Sequence, residues 1–155
     1  MKVTLSEILD AKGRDVWSVS PQNTAYEALE LMADKDVGAL VVIDQGKIVG
    51  IFSERDYARK VILKGKSSRE TSVAEIMSKP VCFVHPWSNI KECMALMTER
   101  HVRHLPVLDN DKLVGIVTIG DVVKAIISEQ ESVIHELKGF VDDALKGRTK
   151  ENPKK

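Results

Sequence analysis

The chain has 155 residues, 43% of them hydrophobic and 30% charged, and its 23 basic and 23 acidic residues give a formal net charge of zero. That composition fits one soluble domain or two small lobes sharing a core, and it lacks the broad basic surface of a nucleic-acid binder. No apolar run approaches a membrane span, and no charged leader with a long apolar core opens the chain.

In chain order, Thr4 to Leu9 reads as one or two helical turns with Leu5, Ile8 and Leu9 on one face. A polar loop from Ala11 to Asp15 leads to a short alternating strand, Val16 to Val19. Ser20-Pro21-Gln22-Asn23-Thr24 is turn chemistry and then a helix start. The helix that follows spaces Ala25, Ala28, Leu29, Met32 and Ala33 by threes and fours. Val37 to Asp44 is a nearly unbroken apolar run, the pattern of a strand buried on both faces. Gln45-Gly46-Lys47 makes a tight hairpin turn into a returning strand, Ile48 to Phe52. A helix from Asp56 to Leu63 stops near Gly65.

The chain then repeats itself. A shift of 65 residues aligns Gly50 with Gly115, Asp56 with Asp121, Val19 with Val84 and Pro21 with Pro86. It runs without a gap from Val16–Val61 against Val81–Ile126. The lead-in Leu5-Ser6-Glu7-Ile8-Leu9 resembles Val73-Ala74-Glu75-Ile76-Met77 at a shift of 68, so the loop around Lys12-Gly13-Arg14 is three residues longer than its counterpart. This is a tandem β-α-β-β-α unit. Each copy is too small to be comfortable alone, so two copies back to back about a pseudo-twofold axis are expected to bury their sheets together. The predicted class is α+β (α/β). Residues 1–65 form the first unit with its lead-in helix, and 66–128 form the second. A C-terminal helix spans 129–147 and a disordered tail 148–155. The helix carries an apolar stripe through Val133, Ile134, Leu137, Val141 and Leu145, with Phe140 beside it. Such a stripe calls for a partner surface, either its own chain or a second copy.

Each unit closes on the same phrase: glycine, two apolar residues, a hydroxyl residue, two variable positions, aspartate. The copies are Gly50-Ile51-Phe52-Ser53-Glu54-Arg55-Asp56 and Gly115-Ile116-Val117-Thr118-Ile119-Gly120-Asp121. One reading is a capping box at a strand-to-helix turn, needing no ligand. The other is a nucleotide site, because free amides at a helix start attract phosphate and a fixed carboxylate accepts both hydroxyls of a ribose.

The repeated unit and its Gly-apolar-apolar-hydroxyl-x-x-Asp ending resemble the CBS domain, and the tandem pair resembles a Bateman module, from about Leu5 to Ile127. Phe52-Ser53-Glu54-Arg55-Asp56-Tyr57 and Val102-Arg103-His104-Leu105-Pro106-Val107 are similar to stand-alone bacterial signalling members. The resemblance implies a regulatory module that binds an adenine nucleotide such as AMP, ADP, ATP or NAD, or alternatively S-adenosylmethionine. It implies that Asp56 with Ser53, and Asp121 with Thr118, face ribose and phosphate. It also implies adenine slots near Val19, Ala39 and Leu40 in one unit, and near Val84, His104 and Leu105 in the other. The resemblance further implies that basic residues ahead of the middle strand of one unit serve the site of the other, which assigns Arg103 and His104, with Arg55, to the Asp56 site. Lys12 and Arg14 are weaker phosphate candidates on the longer loop.

Several residues read as structural instead. His101 and His104 lack further ligands for a metal. Trp17 packs at the surface or approaches a base, and His85-Pro86-Trp87 is a helix-entry turn. Cys82 and Cys93 read as reduced core residues of a cytoplasmic protein. No recurring Cys/His or Ser/His/Asp arrangement suggests an enzyme, and neither a catalytic cofactor nor a metal is expected. The competing function is a ligand-independent dimerisation scaffold. A homodimer formed partly through the C-terminal helix, an unnamed protein target, and no nucleic-acid or membrane partner complete the expectation.

Overall fold

The computed structural model describes residues 3–151, with side chains described as far as residue 147. Helix α1 (Leu5–Lys12) opens the chain, with Thr4 Oγ1 accepting from the Glu7 amide at its start. Strand β1 (Ser18–Val19) precedes α2 (Ala25–Lys35), β2 (Ala39–Asp44) and β3 (Lys47–Ser53). A single α-turn, α3 (Glu54–Asp56), continues as a wider π-helical segment, Tyr57–Ile62, where an ordinary helix was expected. The second repeat contributes α4 (Val73–Ile76), α5 (Ile90–Arg100), β4 (His104–Asp109) and β5 (Lys112–Thr118), followed by α6 (Ile119–Glu151).

Local chemistry recurs between the repeats. Helices α2 and α5 both end on a left-handed residue, Asp36 and His101, which lie 65 apart. Both hairpins turn through two residues of positive φ, Gln45-Gly46 and Asn110-Asp111, the geometry that matches strand twist. The antiparallel pairs share register, Ala39 opposite Ser53 and His104 opposite Thr118, and both ladders slip at the same place, after Val42 and after Val107.

The repeats differ at the first strand. In repeat one, β1 runs parallel to β2, and the Val41 amide donates to Trp17 O at 3.3 Å. The counterpart of Val41 is Pro106, which has no N–H to donate. The expected strand of repeat two is therefore reduced to one parallel bridge, Val84 to Val107, and that sheet has two strands.

The lead-in helices are exchanged, each packing on the core of the other repeat. Leu5, Ile8 and Leu9 belong to the core of repeat two, with Val84, Ile90 and Leu105. Val73 and Ile76 belong to the core of repeat one, with Ala28, Leu40 and Phe52. Backbone bonds tie the exchange down: Leu5 N to Ser88 O at 2.9 Å in one direction, and Val73 N to Asn23 O at 2.8 Å in the other. The reciprocity is the pseudo-twofold relation expressed in contacts. The apolar interior is accordingly two clusters, each built from one repeat and the other's lead-in, not a single core between sheets.

Helix α6 is one continuous element of 33 residues. It absorbs both the last helix of repeat two and the separately expected helix over 129–147, and it runs on to Glu151 where a disordered tail was expected. Residues 152–155 lie outside the described part of the chain.

Candidate functional site

Ser53 ends β3 and caps α3. Its Oγ accepts from the Asp56 amide at 3.1 Å, while its own amide donates to Asp56 Oδ2 at 3.0 Å. Ser53 Oγ also donates to that oxygen at 3.1 Å. Both halves of the capping box are thus present. The other oxygen of Asp56 accepts from Ser78 Oγ at 2.8 Å and pairs with Lys60 Nζ at 3.1 Å. Lys60 also donates to Ile76 O and Ser78 Oγ. Asp56 is only 8% exposed, so each of its oxygens already has partners within the protein.

The second carboxylate repeats the cap and changes its other company. The Thr118 amide donates to Asp121 Oδ2 at 2.8 Å, and Thr118 Oγ1 accepts from the Asp121 amide at 3.1 Å. Lys12, arriving from the exchanged lead-in helix, pairs with the same oxygen at 2.6 Å and donates to Ile116 O. Asp121 Oδ1 has no hydrogen-bond partner among the described residues. Asp56 therefore receives its ammonium from one turn along its own helix, Asp121 from the other end of the chain.

Beside Asp56, where the two repeats meet, is a cleft of about 560 Å³. That volume is within the range of small-molecule sites, about 300–1,000 Å³. Ser53, Arg55 and Asp56 line it from repeat one, and Arg103 and His104 from repeat two. Arg55 Nη1 donates across the boundary to His101 O at 3.1 Å. His104 lies near Gly38, the counterpart of Arg103: a Cβ on that glycine would lie 3.5 Å from His104 Nε2 and 3.1 Å from Glu54 Oε1. Burial lowers the pKa of His104 below the ordinary imidazole value, Lys12 and Arg103 push it the same way, and Asp121 opposes them. These influences favour the neutral form of the ring near pH 7.

Other sequence-predicted residues fall elsewhere. Thr118, Asp121 and Lys12 do not line this cleft. Arg14 pairs with Asp10 at 2.7 Å and reaches Ser6, on the outer side of α1. Val19, Leu40, Val84 and Leu105 are buried in the two cores, and Ala39 is 5% exposed. Their side chains face the protein interior because β2 and β4 are covered on both faces; only backbone groups there are left for a ligand base. Trp17 packs under Lys35 Nζ, 4.4 Å from the ring centroid, and His85 stacks on Trp87.

Sequence reasoning missed several cleft residues. Lys60 was legible as the i+4 neighbour of Asp56. Ser78, Lys79 and Cys82 enter only because α4 crosses to repeat one, and Arg100 and His101 enter with the end of α5. A second depression of similar volume, lined by Tyr26, Leu29, Tyr57 and Arg69 among others, lies on the helical face of repeat one and holds none of the sequence-predicted residues.

The family model for the CBS domain matches residues 5–62 and again 73–128. A mitochondrial CBS domain-containing protein, CBSX3 of Arabidopsis thaliana, is 35% identical over 148 residues, covering 89% of this chain and 71% of that one. A solved structure from Burkholderia ambifaria MC40-6, of a CBS-domain protein named for signal transduction, is 50% identical with a TM-score of 0.80, covering 83% of this chain and 96% of that one. The CBS domain pair of protein MJ0100, in complex with 5′-methylthioadenosine and S-adenosyl-L-methionine, shares the fold at 23% identity and a TM-score of 0.74, covering 83% of this chain and 99% of that one.

Proposed function

The chain belongs to the CBS-domain family with two copies of the domain, and from that premise we propose that it is a regulatory sensor of adenine nucleotides. The ligand is AMP or another adenine nucleotide, NAD included, and it binds in the cleft beside Asp56. Binding changes conformation or assembly and does no chemistry. One observation carries this reading: the hydroxyl–carboxylate pair Ser53 and Asp56 shares a cleft with Arg55 and Arg103, contributed by different repeats. The carboxylate suits a ribose diol and the guanidiniums suit phosphate. Ribose binding requires Ser78 or Lys60 to give way on Asp56 Oδ1, so the ligand replaces an internal partner and does not fill a free valence. The ligands of the MJ0100 pair share the adenosine part of such a nucleotide and carry no phosphate.

The test is calorimetry with AMP and with adenosine on the native chain and on Arg103→Ala. A charged hydrogen bond contributes about 1.5–3 kcal/mol, so the variant should weaken AMP by about tenfold or more and leave adenosine nearly unchanged. Equal losses for both ligands would refute the assignment of Arg103 to phosphate.

A second reading, a ligand-independent scaffold, is favoured by the complete capping boxes, which give both acids a structural role. Thermal melting separates the two. A ligand at about 100 times its dissociation constant adds about 2.7 kcal/mol, which for this size raises the melting temperature by about 5–10 °C. No rise with AMP, ATP, NAD or S-adenosylmethionine at millimolar concentration supports the scaffold. In both readings the apolar stripe of α6, which exposes Val133, Ile134, Leu137, Phe140, Val141 and Leu145, is the seam where two copies meet.

A further inference from the structure

The chain as a whole is neutral, but its cleft is not. Arg55, Arg59, Lys60, Lys79, Arg100 and Arg103 line it against Glu54 and Asp56, six cations facing two anions. Lys60 is committed to Asp56, Ser78 and Ile76, and Arg55 uses one nitrogen on His101 O. The side chains of Arg59, Lys79, Arg100 and Arg103 make no hydrogen bond or ion pair among the described residues. Like charges gathered on one concave surface repel each other and raise the local affinity for anions. A single phosphate monoester carries about two negative charges near neutral pH, which answers only half of this excess of four.

We infer that the ligand of this cleft is a nucleoside di- or triphosphate, and that Arg59, Lys79 and Arg100 hold the phosphates beyond the first. This rests on the nucleotide reading above and specifies its ligand. The placement supports it. Arg59 follows Arg55 by about one turn on the segment after Asp56. Lys79 adjoins Ser78, whose hydroxyl already touches Asp56. Arg100 closes α5 beside His101, whose carbonyl holds Arg55. A phosphate chain starting between Arg55 and Arg103 thus shares the cleft with further basic side chains from both repeats.

Calorimetry on the full chain with AMP, ADP and ATP, without magnesium and at low and high salt, tests the inference. Affinity should rise from AMP through ADP to ATP, by about tenfold overall, since several exposed pairs add small increments, and the rise should shrink as salt screens them. In the double variant Arg59→Ala/Lys79→Ala, which touches only exposed and unpaired side chains, the ATP-to-AMP ratio should fall to about twofold or less. ATP binding no tighter than AMP overturns the polyphosphate inference and leaves the nucleotide reading standing. A ratio that survives the double variant overturns the role of these residues. Binding of none of the three overturns both.

Discussion

Leu9 lies over Gly115 with no room for a side chain between them. A Cβ on that glycine would lie 2.7 Å from both Leu9 Cδ atoms, and Leu9 is fully buried. The pseudo-twofold counterpart is Met77 over Gly50, where Sδ would lie 2.6 Å from such a Cβ. These are the contacts by which each lead-in segment latches onto the other repeat. They give both glycines of the repeated phrase a packing reason that is independent of any ligand.

Gly115→Ala should therefore destabilise the protein by about 1–3 kcal/mol, the usual cost of overpacking a closed core. Gly50→Ala should cost less, because Met77 is flexible and only partly buried. Urea unfolding of both variants measures this, and an unchanged midpoint for Gly115→Ala would contradict the latch.

The two cysteines should separate by reactivity. Burial, with Asp121 adding to it, pushes the Cys93 thiol up to about 11, which leaves almost no thiolate at neutral pH. Cys82 is partly exposed and lines the cleft. Iodoacetamide followed by peptide mass spectrometry should find Cys82 alkylated and Cys93 intact in the folded protein. Saturating AMP should slow Cys82 by about fivefold or more, because access is what sets its rate. Full-rate labelling under saturation would place the ligand elsewhere.

Stability should fall on mild acidification, with His104 as one source. Its pKa in the folded protein is below the ordinary value of 6.5, through burial first and then Lys12. The unfolded imidazole takes up its proton as pH drops through about 6.5, while the folded one resists until lower pH. The contribution is therefore complete above that value and lost as pH falls from it toward the folded pKa. Melting temperatures measured from about pH 7.5 to 5.5 should decline less steeply for His104→Asn than for the native protein. Identical slopes would remove His104 from the account.

The seam on α6 predicts a dimer. Leu137 is 58% exposed and Phe140 75% exposed on a single chain. Leu137→Glu puts a charge into the middle of the proposed seam and should weaken self-association by about a hundredfold, the cost of burying an unpaired polar group. Light scattering should show the mass of two chains for the native protein and of one chain for the variant, with the melting temperature measured alongside. A native mass of one chain at all concentrations would dispose of the seam.

Much of the fold was legible before any coordinates. The 65-residue shift, the hairpin turns and the hydroxyl-x-x-Asp ending are local or periodic features, and each found its element. The capping reading of Ser53 and Asp56 was legible for the same reason, since a cap involves only neighbours in the chain. One consequence needed the structure. Asp56 caps its helix and also faces the cleft, so Asp56→Asn must cost stability whichever function is right. That substitution cannot separate the sensor from the scaffold, whereas Arg103→Ala, outside the cap, can.

Sequence by itself determined the 65-residue repeat and the acid that ends each copy, because periodicity and capping are written in spacings along the chain. Tertiary structure alone decided which lead-in covers which repeat, which ammonium reaches which carboxylate, and which cations share the cleft. Lys12 meeting Asp121 across most of the chain, and Ser78 meeting Asp56 from the opposite repeat, depend on the path of two polar loops. Loop spacing is nearly indifferent to those choices, since closing a few more residues costs little. They are settled by packing, where Leu9 finds Gly115 and Met77 finds Gly50.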